Sequence, residues 1–450
     1  MAYNFLPYDQ QQLLLMPPSL QEWVEDSSLA RFISDAVDEL DSKGELGSFY
    51  TRYRADGWGR AAYPPPMMVK VILYGYCLGV RSSRKLAQAL ELDVAFRYLA
   101  ANLRPDFRTI SDFRKDHAEA IDGLFVTVLG LCRQAGLVKM GQVALDGRRV
   151  AGNAALERNG NKEKLQAIVR SILKEAEETD AAEDELYGPD KRGDELPEEL
   201  RNRESRLKAI RKAIEDMKQA EADVHAEYEE KLRARERGEQ ETGRRARGRK
   251  PKLDQKKIER LKVNLTDPDS RILKTRKGYV QGYNGQAMVS CETQVIVAQD
   301  LRQEQVDFRL VEPMLERCEQ QAGERPGTCI MDGGYWSESN AALSDERTKL
   351  LIAVGSGATI VGRGAPREGK KAPKSGPRAV AMRAELETEE GRATYKKRGG
   401  TVEPVFGQMH ERGINEFLLR GVRKVAMEWS LICTTHNLLK LWRAGGLAMA

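Results

Sequence analysis

The sequence predicts a mixed α/β chain: a helical N-terminal part, then a sheet domain interrupted by a charged helical insertion. Three observations carry this. Apolar residues up to about residue 140 recur at helical spacing, whereas Val143, Leu145 and Val150 around Asp146 suggest a strand. Strand patterns then resume only after Asp267-Pro268-Asp269, beyond a long run dense in Glu, Lys and Arg. From there a hairpin pattern leads into alternating helix and strand, the order of a mixed sheet. At 450 residues the chain exceeds one ordinary core. The expected divisions are 1–140 (helical), 141–156 (first strand), 157–262 (charged insertion) and 263–450 (remainder of the sheet domain).

Charged residues make up 31% and hydrophobic ones 41%, as in a soluble globular protein with a charged extra segment. The net charge of +5 is mild for this length, so any nucleic-acid surface has to be local. The six cysteines form no CxxC pair, and Cys433 with His436 has a ligand-like gap but no second pair, which argues against zinc. Scattered thiols fit a reducing compartment, so a cytoplasmic protein is expected. No basic leader and no apolar run of ~18 residues is present, which argues against secretion and membrane spanning.

Taken in order, Leu29, Phe32, Ile33, Ala36, Val37 and Leu40 mark a first helix, with Asp26 or Ser27 as its cap. Pro64-Pro65-Pro66 punctuates the chain before an apolar helix from Met67 to Leu78. Residues 81–90 form a short Ser-capped helix with Arg84 and Lys85 in its basic first turn, and Val94 to Leu99 another. The stretch from Arg104 to Lys115 starts a further helix that would present Arg108, Ser111 and Arg114 outward. Short helices, tight turns and basic outer faces suit a helix-turn-helix-like DNA reader; a helical bundle with solvated Arg and Lys fits them equally.

Within 157–262, Leu200, Leu207, Ile214 and Tyr228 lie at sevenfold spacing, with Ile210, Met217 and Val224 in a second seam that Arg203 and Glu221 interrupt. This argues for a helical hairpin or short coiled coil, its turn region marked by Gly188-Pro189 and Leu196-Pro197. The segment ends in Arg244, Arg245, Arg247, Arg249, Lys250 and Lys252. Such an arm can follow phosphates and a narrow minor groove, although a solvated linker has the same composition.

Gly278 to Val289 and Gln294 to Ala298 read as a hairpin, followed by a helix from about Phe308 to Gln321 and a strand ending at Asp332. Ser337 or Ser339 caps a short helix, and Leu350 to Val354 is another strand. Gly355 to about Gly391 reads as a connection, mobile before a ligand arrives, with helices then starting at Glu403 and running from Val425 to Trp442. That is the order of an RNase-H-like domain. It places Asp146 on the first strand, Asp332 at the end of the fourth and Glu403 on a late helix. Any one Asp-Gly more often marks a turn; the ordered triple is the stronger signal. Oxygen ligands of this kind suit Mg²⁺ or Mn²⁺, with two ions expected when DNA is bound. Gln303 and Asp307 are read as near the site or as solvated surface, and Trp336 as packing against the sheet edge.

The stretches VALDGRRVAGNAA (143–155), GYVQGYNGQA (278–287), MDGGYWSESN (331–340) and YKKRGGTVEPVFGQ (395–408) resemble bacterial insertion-sequence DDE transposases. Residues 62–86 and 108–117 resemble the N-terminal transposase domain of that family, and the pattern is most similar to the insertion-sequence 1182 group. The resemblance implies Asp146, Asp332 and Glu403 as the catalytic and metal-binding triad of an RNase-H-like domain. It implies that the N-terminal part binds the terminal repeats, and that Tyr395 and Arg398 contact transposon-end phosphates. His410 stands where the family usually carries Lys, and Arg148 where relatives commonly carry Thr. The implied activity is cut-and-paste transposition of double-stranded DNA by a homodimer or larger synaptic complex. Two rivals stay open: an inactive terminal-repeat-binding repressor, and a nuclease that cuts without joining.

Overall fold

The computed structural model describes residues 19–54, 61–161, 203–242, 250–253, 262–275, 278–354 and 376–445, with residues 167 and 255 as single positions. Its first helices are α1 (Leu20–Trp23) and α2 (Leu29–Ser42), the latter burying Phe32, Ile33, Val37 and Leu40. The cap of α2 is Ser28, whose Oγ accepts from Arg31 N at 3.3 Å, not Asp26 or Ser27. Asp26 pairs instead with the Arg31 side chain at 3.2 Å. Next come α3 (Pro65–Cys77), with Pro at its first turn, and α4 (Ser83–Leu92). α5 (Val94–Leu99) is capped by Asp93, α6 (Phe107–Asp116) by Asp106, and α7 (Ala118–Gln134) completes the series.

The sheet is built around β1 (Gln142–Ala151). On one side β1 pairs antiparallel with β5 (Gly278–Ser290), and on the other parallel with β7 (Thr328–Met331), which pairs parallel with β8 (Lys349–Ile352). β4 (Arg271–Thr275) and β6 (Ile296–Arg302) pair antiparallel with successive parts of β5. β2 (Asn159–Gly160) and β3 (Val263–Asn264) form a small ribbon. It joins the two ends of the insertion, so the sheet continues after roughly a hundred intervening residues. Within that insertion lies α8 (Arg203–Thr242). Along it Met217 and Val224 are buried and Ile214, Glu221 and Tyr228 half-buried, the heptad stripe expected of a packed helix. The turn residues Gly188-Pro189 and Leu196-Pro197 lie outside the described residues.

The remaining helices are α9 (Val311–Ala322), α10 (Glu338–Ala341), α11 (Pro377–Glu387), α12 (Glu389–Glu411) and α13 (Val422–Arg443). Two of these correct the sequence reading. Part of the expected connection is the helix α11, started by Pro377 and by the Glu338 carboxylate, which accepts from Ala379 N at 3.2 Å. α12 starts at Glu389 under a Thr388 cap, so Glu403 lies deep in the helix and not at its start.

No break in the core falls near residue 140. One continuous apolar cluster includes Val37, Ile72 and Val128 from the helices, Val143 and Met288 from the sheet, and Leu431 from α13. α13 is pinned to β6 by Asn437, which exchanges two 2.8 Å hydrogen bonds with the Ile296 backbone. It is tied to the N-terminal helices by the buried Glu428–Arg81 pair at 2.8 Å, whose carboxylate also accepts from Leu418 N and Leu419 N. A buried carboxylate needs this full set of donors. Among the described residues no helix is long and apolar enough to cross a membrane.

Candidate active site

Strand register alone brings two aspartates together. β1 and β7 run parallel with Leu145 opposite Met331, so the next residue of each chain segment, Asp146 and Asp332, sits side by side. The Asp146-Gly147 pair is therefore not a turn: it lies mid-strand, with Asp146 opposite Ala287. Gly147 leaves room there for two amide side chains: a Cβ would stand 2.1 Å from Gln286 Nε2 and 2.7 Å from Asn284 Oδ1, and both would have to shift. Asp332 ends β7 and caps a 3-10 turn over Gly333–Tyr335, its Oδ1 accepting from Gly334 N at 2.8 Å.

α12 supplies the opposing charge. Arg398 Nη2 lies 2.6 Å from Asp146 Oδ2 and 3.6 Å from Asp332 Oδ2. Asp146 is pushed up from 3.8 to about 6: burial raises it most, Arg398 opposes, and the neighbouring carboxylates of Asp332 and Asp307 raise it further. Asp307 is held by Arg149 Nη2 and Asn284 Nδ2, both at 2.8 Å, and by Gln286 Nε2 at 3.3 Å. Gln286 is itself oriented by the buried Tyr335 hydroxyl, which donates to its Oε1 at 2.5 Å. Burial and three nearby carboxylates push that phenol well above its ordinary value.

The third expected carboxylate does not join the pair. Glu403 is exposed, and among the described residues no group of three His, Cys, Asp or Glu side chains converges as a metal site. The reason is helical geometry. Glu403 lies five positions after Arg398, about 140° around an α-helix, so turning one toward the sheet turns the other away. Tyr395, Val402, Val405 and Met409 form the buried face. Pro404 sits inside α12 and cannot donate to Gly400 O, which instead accepts from Gln294 Nε2 at 3.0 Å.

Residues 18–116 match the family described as Transposase domain (DUF772), and residues 366–442 match the family described as Transposase DDE domain. Both matches support an insertion-sequence DDE transposase. No curated protein and no solved structure matches the chain. The C-terminal match takes in Arg398 and Glu403, while Asp146 and Asp332 of the transposase precede it.

The sequence-expected DNA contacts of the transposase separate into distinct groups. Arg84, Lys85 and Arg108 are exposed, and the guanidinium groups of Arg84 and Arg108 lie 5.3 and 5.7 Å from the Phe107 ring. Arg114 is a correction: it is 6% exposed, donating to Arg81 O at 2.8 Å and to Ser83 Oγ. It shares the inward face of α6 with Ile110 and Phe113, and so clamps that helix to the start of α4. Tyr395 is a second correction. It is 4% exposed in a cluster with Ile330, Leu351 and Met382, packed in the interior where a phosphate contact was expected.

His410 is exposed in the last turn of α12. Arg148 ties β1 to that helix by donating to Phe406 O at 2.9 Å, and burial lowers its pKa. Lys250 is exposed, whereas Arg244, Arg245, Arg247 and Arg249 lie outside the described residues. Trp336 is half-buried against the core, as expected, and Asp307 stands by the aspartate pair. Sequence reasoning missed Arg149, Asn284, Gln286 and Tyr335. The available signal was Asn284 and Gln286 two apart, a polar pair on one face of an otherwise buried strand.

Proposed function

We propose that this transposase moves its element by a cut-and-paste route, cleaving at the element's ends and joining the freed 3′-hydroxyls to target DNA. The observation that carries the reading is the pairing of Asp146, within one strand, with Asp332, just past the end of the adjacent parallel strand. The strand order β6-β5-β1-β7-β8, with β5 alone antiparallel to the rest, supports an RNase-H-like domain. The sequence motifs further suggest the insertion-sequence 1182 group.

The donor set fits a hard dication: carboxylates side by side on adjacent strands, Asp146 desolvated and Asp332 open to solvent, together carrying more negative charge than Arg398 neutralises. Asp146 and Asp332 would hold Mg²⁺ or Mn²⁺; Glu403, the third expected member of the triad, faces solvent here and would join them only if α12 turned against the sheet. When bound, such ions supply Lewis-acid stabilisation of charge on the reacting phosphate, two of them acting together with DNA present. Around them the protein's own groups have separate tasks. Arg149, Asn284, Gln286 and Tyr335 hold the floor of the site rigid through Asp307. The exposed Arg84, Lys85 and Arg108 face solvent where a duplex phosphate backbone could lie. Two transposon ends must be handled together, so a dimer or larger synaptic assembly is the working unit.

The test is cleavage and joining of labelled transposon-end DNA with Mg²⁺, beside a binding assay on the same samples. Asp146→Asn, Asp332→Asn and Glu403→Gln should lose cleavage and keep end binding. Wild-type-like cleavage by any one of them removes that residue from the triad. Cleavage by the parent without joined products would make it a nuclease, and binding without cleavage a repressor.

A further inference from the structure

We infer that Arg398 is an internal counterion that withholds the Asp146–Asp332 pair from divalent cations until a DNA phosphate draws the guanidinium away. This rests on the cation-site reading of that pair and adds a control to it. The Arg398 side chain is only 14% exposed and reaches both aspartates through one nitrogen, Nη2. At 2.6 Å from Asp146 Oδ2, that nitrogen stands against the oxygen that a dication would take at about 2.1 Å. Guanidinium and dication therefore claim one ligand and repel each other.

The arginine is incompletely satisfied where it lies. Its second contact is long, at 3.6 Å, and its Nε is buried with no hydrogen-bond partner. An arginine fork fits a phosphate through two parallel hydrogen bonds, so a phosphate offers it what the aspartates do not. Asp332 is 42% exposed, so the pair is open to solvent on that side, where a phosphate can approach the guanidinium. Moving Arg398 from carboxylates to phosphate would expose the cation site only when DNA is present. By linkage, metal and DNA should then favour each other's binding.

The experiment measures Mn²⁺ binding to the DNA-free, full-length protein by electron paramagnetic resonance. Arg398→Gln and Arg398→Met should bind Mn²⁺ about tenfold tighter than the parent or more, because a unit charge beside the ligands is gone. Arg398→Met keeps the apolar stem in place should the glutamine variant fold poorly. Arg398→Lys should stay near the parent, and adding Asp146→Asn to Arg398→Gln should abolish the gain. A mixed-sequence duplex with free 3′ ends should tighten Mn²⁺ binding by the parent and change Arg398→Gln little. Equal Mn²⁺ affinity in the parent and both charge-removing variants overturns the inference while leaving the cation site intact. If no form binds Mn²⁺ with or without the duplex, the cation-site reading falls and the inference with it.

Discussion

Asp146→Asn should make the metal-free protein more stable at neutral pH, the reverse of what removing a buried ion-pair partner usually does. The carboxyl rises from 3.8 to about 6 because burial and the charges of Asp332 and Asp307 outweigh the help from Arg398. Such a rise corresponds to about 3 kcal/mol by which the ionised form disfavours folding. With the folded pKa above the unfolded one, the folded state holds the extra proton between about pH 4 and pH 6. Stability therefore falls as pH rises through that window and is lowest, for this group, above it. Asparagine keeps the shape and removes the charge, so the variant should gain up to ~3 kcal/mol at about pH 8 and nothing at about pH 4. Arg398 is already within this balance, since its attraction is one of the opposing causes of the shift. Urea unfolding followed by circular dichroism, in a chelator and across that pH range, measures the difference. A variant no more stable than the parent at about pH 8, or a gain undiminished at about pH 4, would refute the burial argument.

Other substitutions separate structural from DNA-facing groups. Arg114→Ala should cost about 2–3 kcal/mol of stability by chemical denaturation, since it removes charged hydrogen bonds to Arg81 O and Ser83 Oγ. Arg84→Ala and Arg108→Ala should change stability by under ~0.5 kcal/mol, and each should lower the salt slope of duplex binding by about 0.9 if it meets a phosphate. An unchanged slope would remove them from the interface. Gly147→Ala should cost about 1–3 kcal/mol, because its Cβ would lie 2.1 Å from a Gln286 amide already fixed by Tyr335. Normal stability would mean that amide is free to move. Replacing Arg244, Arg245, Arg247, Arg249, Lys250 and Lys252 together by Ala should flatten the salt slope and weaken binding to unrelated duplexes, and no change would make the run a bystander.

The sequence by itself determined the element types, because burial on one face leaves a period of 3.6 or 2 in the order of apolar residues. The α2 stripe from Leu29 to Leu40 and the strand about Asp146 were legible this way, and the family motifs singled out Asp146 and Asp332. The sequence also showed that a long insertion separates β1 from the rest of the sheet. Only the tertiary structure decided which side chains meet. The 145–331 register sets Asp146 against Asp332, and no periodicity within either strand encodes pairing with the other. The start of α12 hid behind a Gly/Lys-rich run whose composition suggests a loop, because packing of Tyr395 and Val402 overrides weak helix propensity. Arg114 and Arg398 were legible as cations, but not that the first is buried and the second turned inward onto carboxylates. An arginine's long stem lets the same residue type face water or reach a carbonyl or carboxylate inside, and only the surrounding fold chooses.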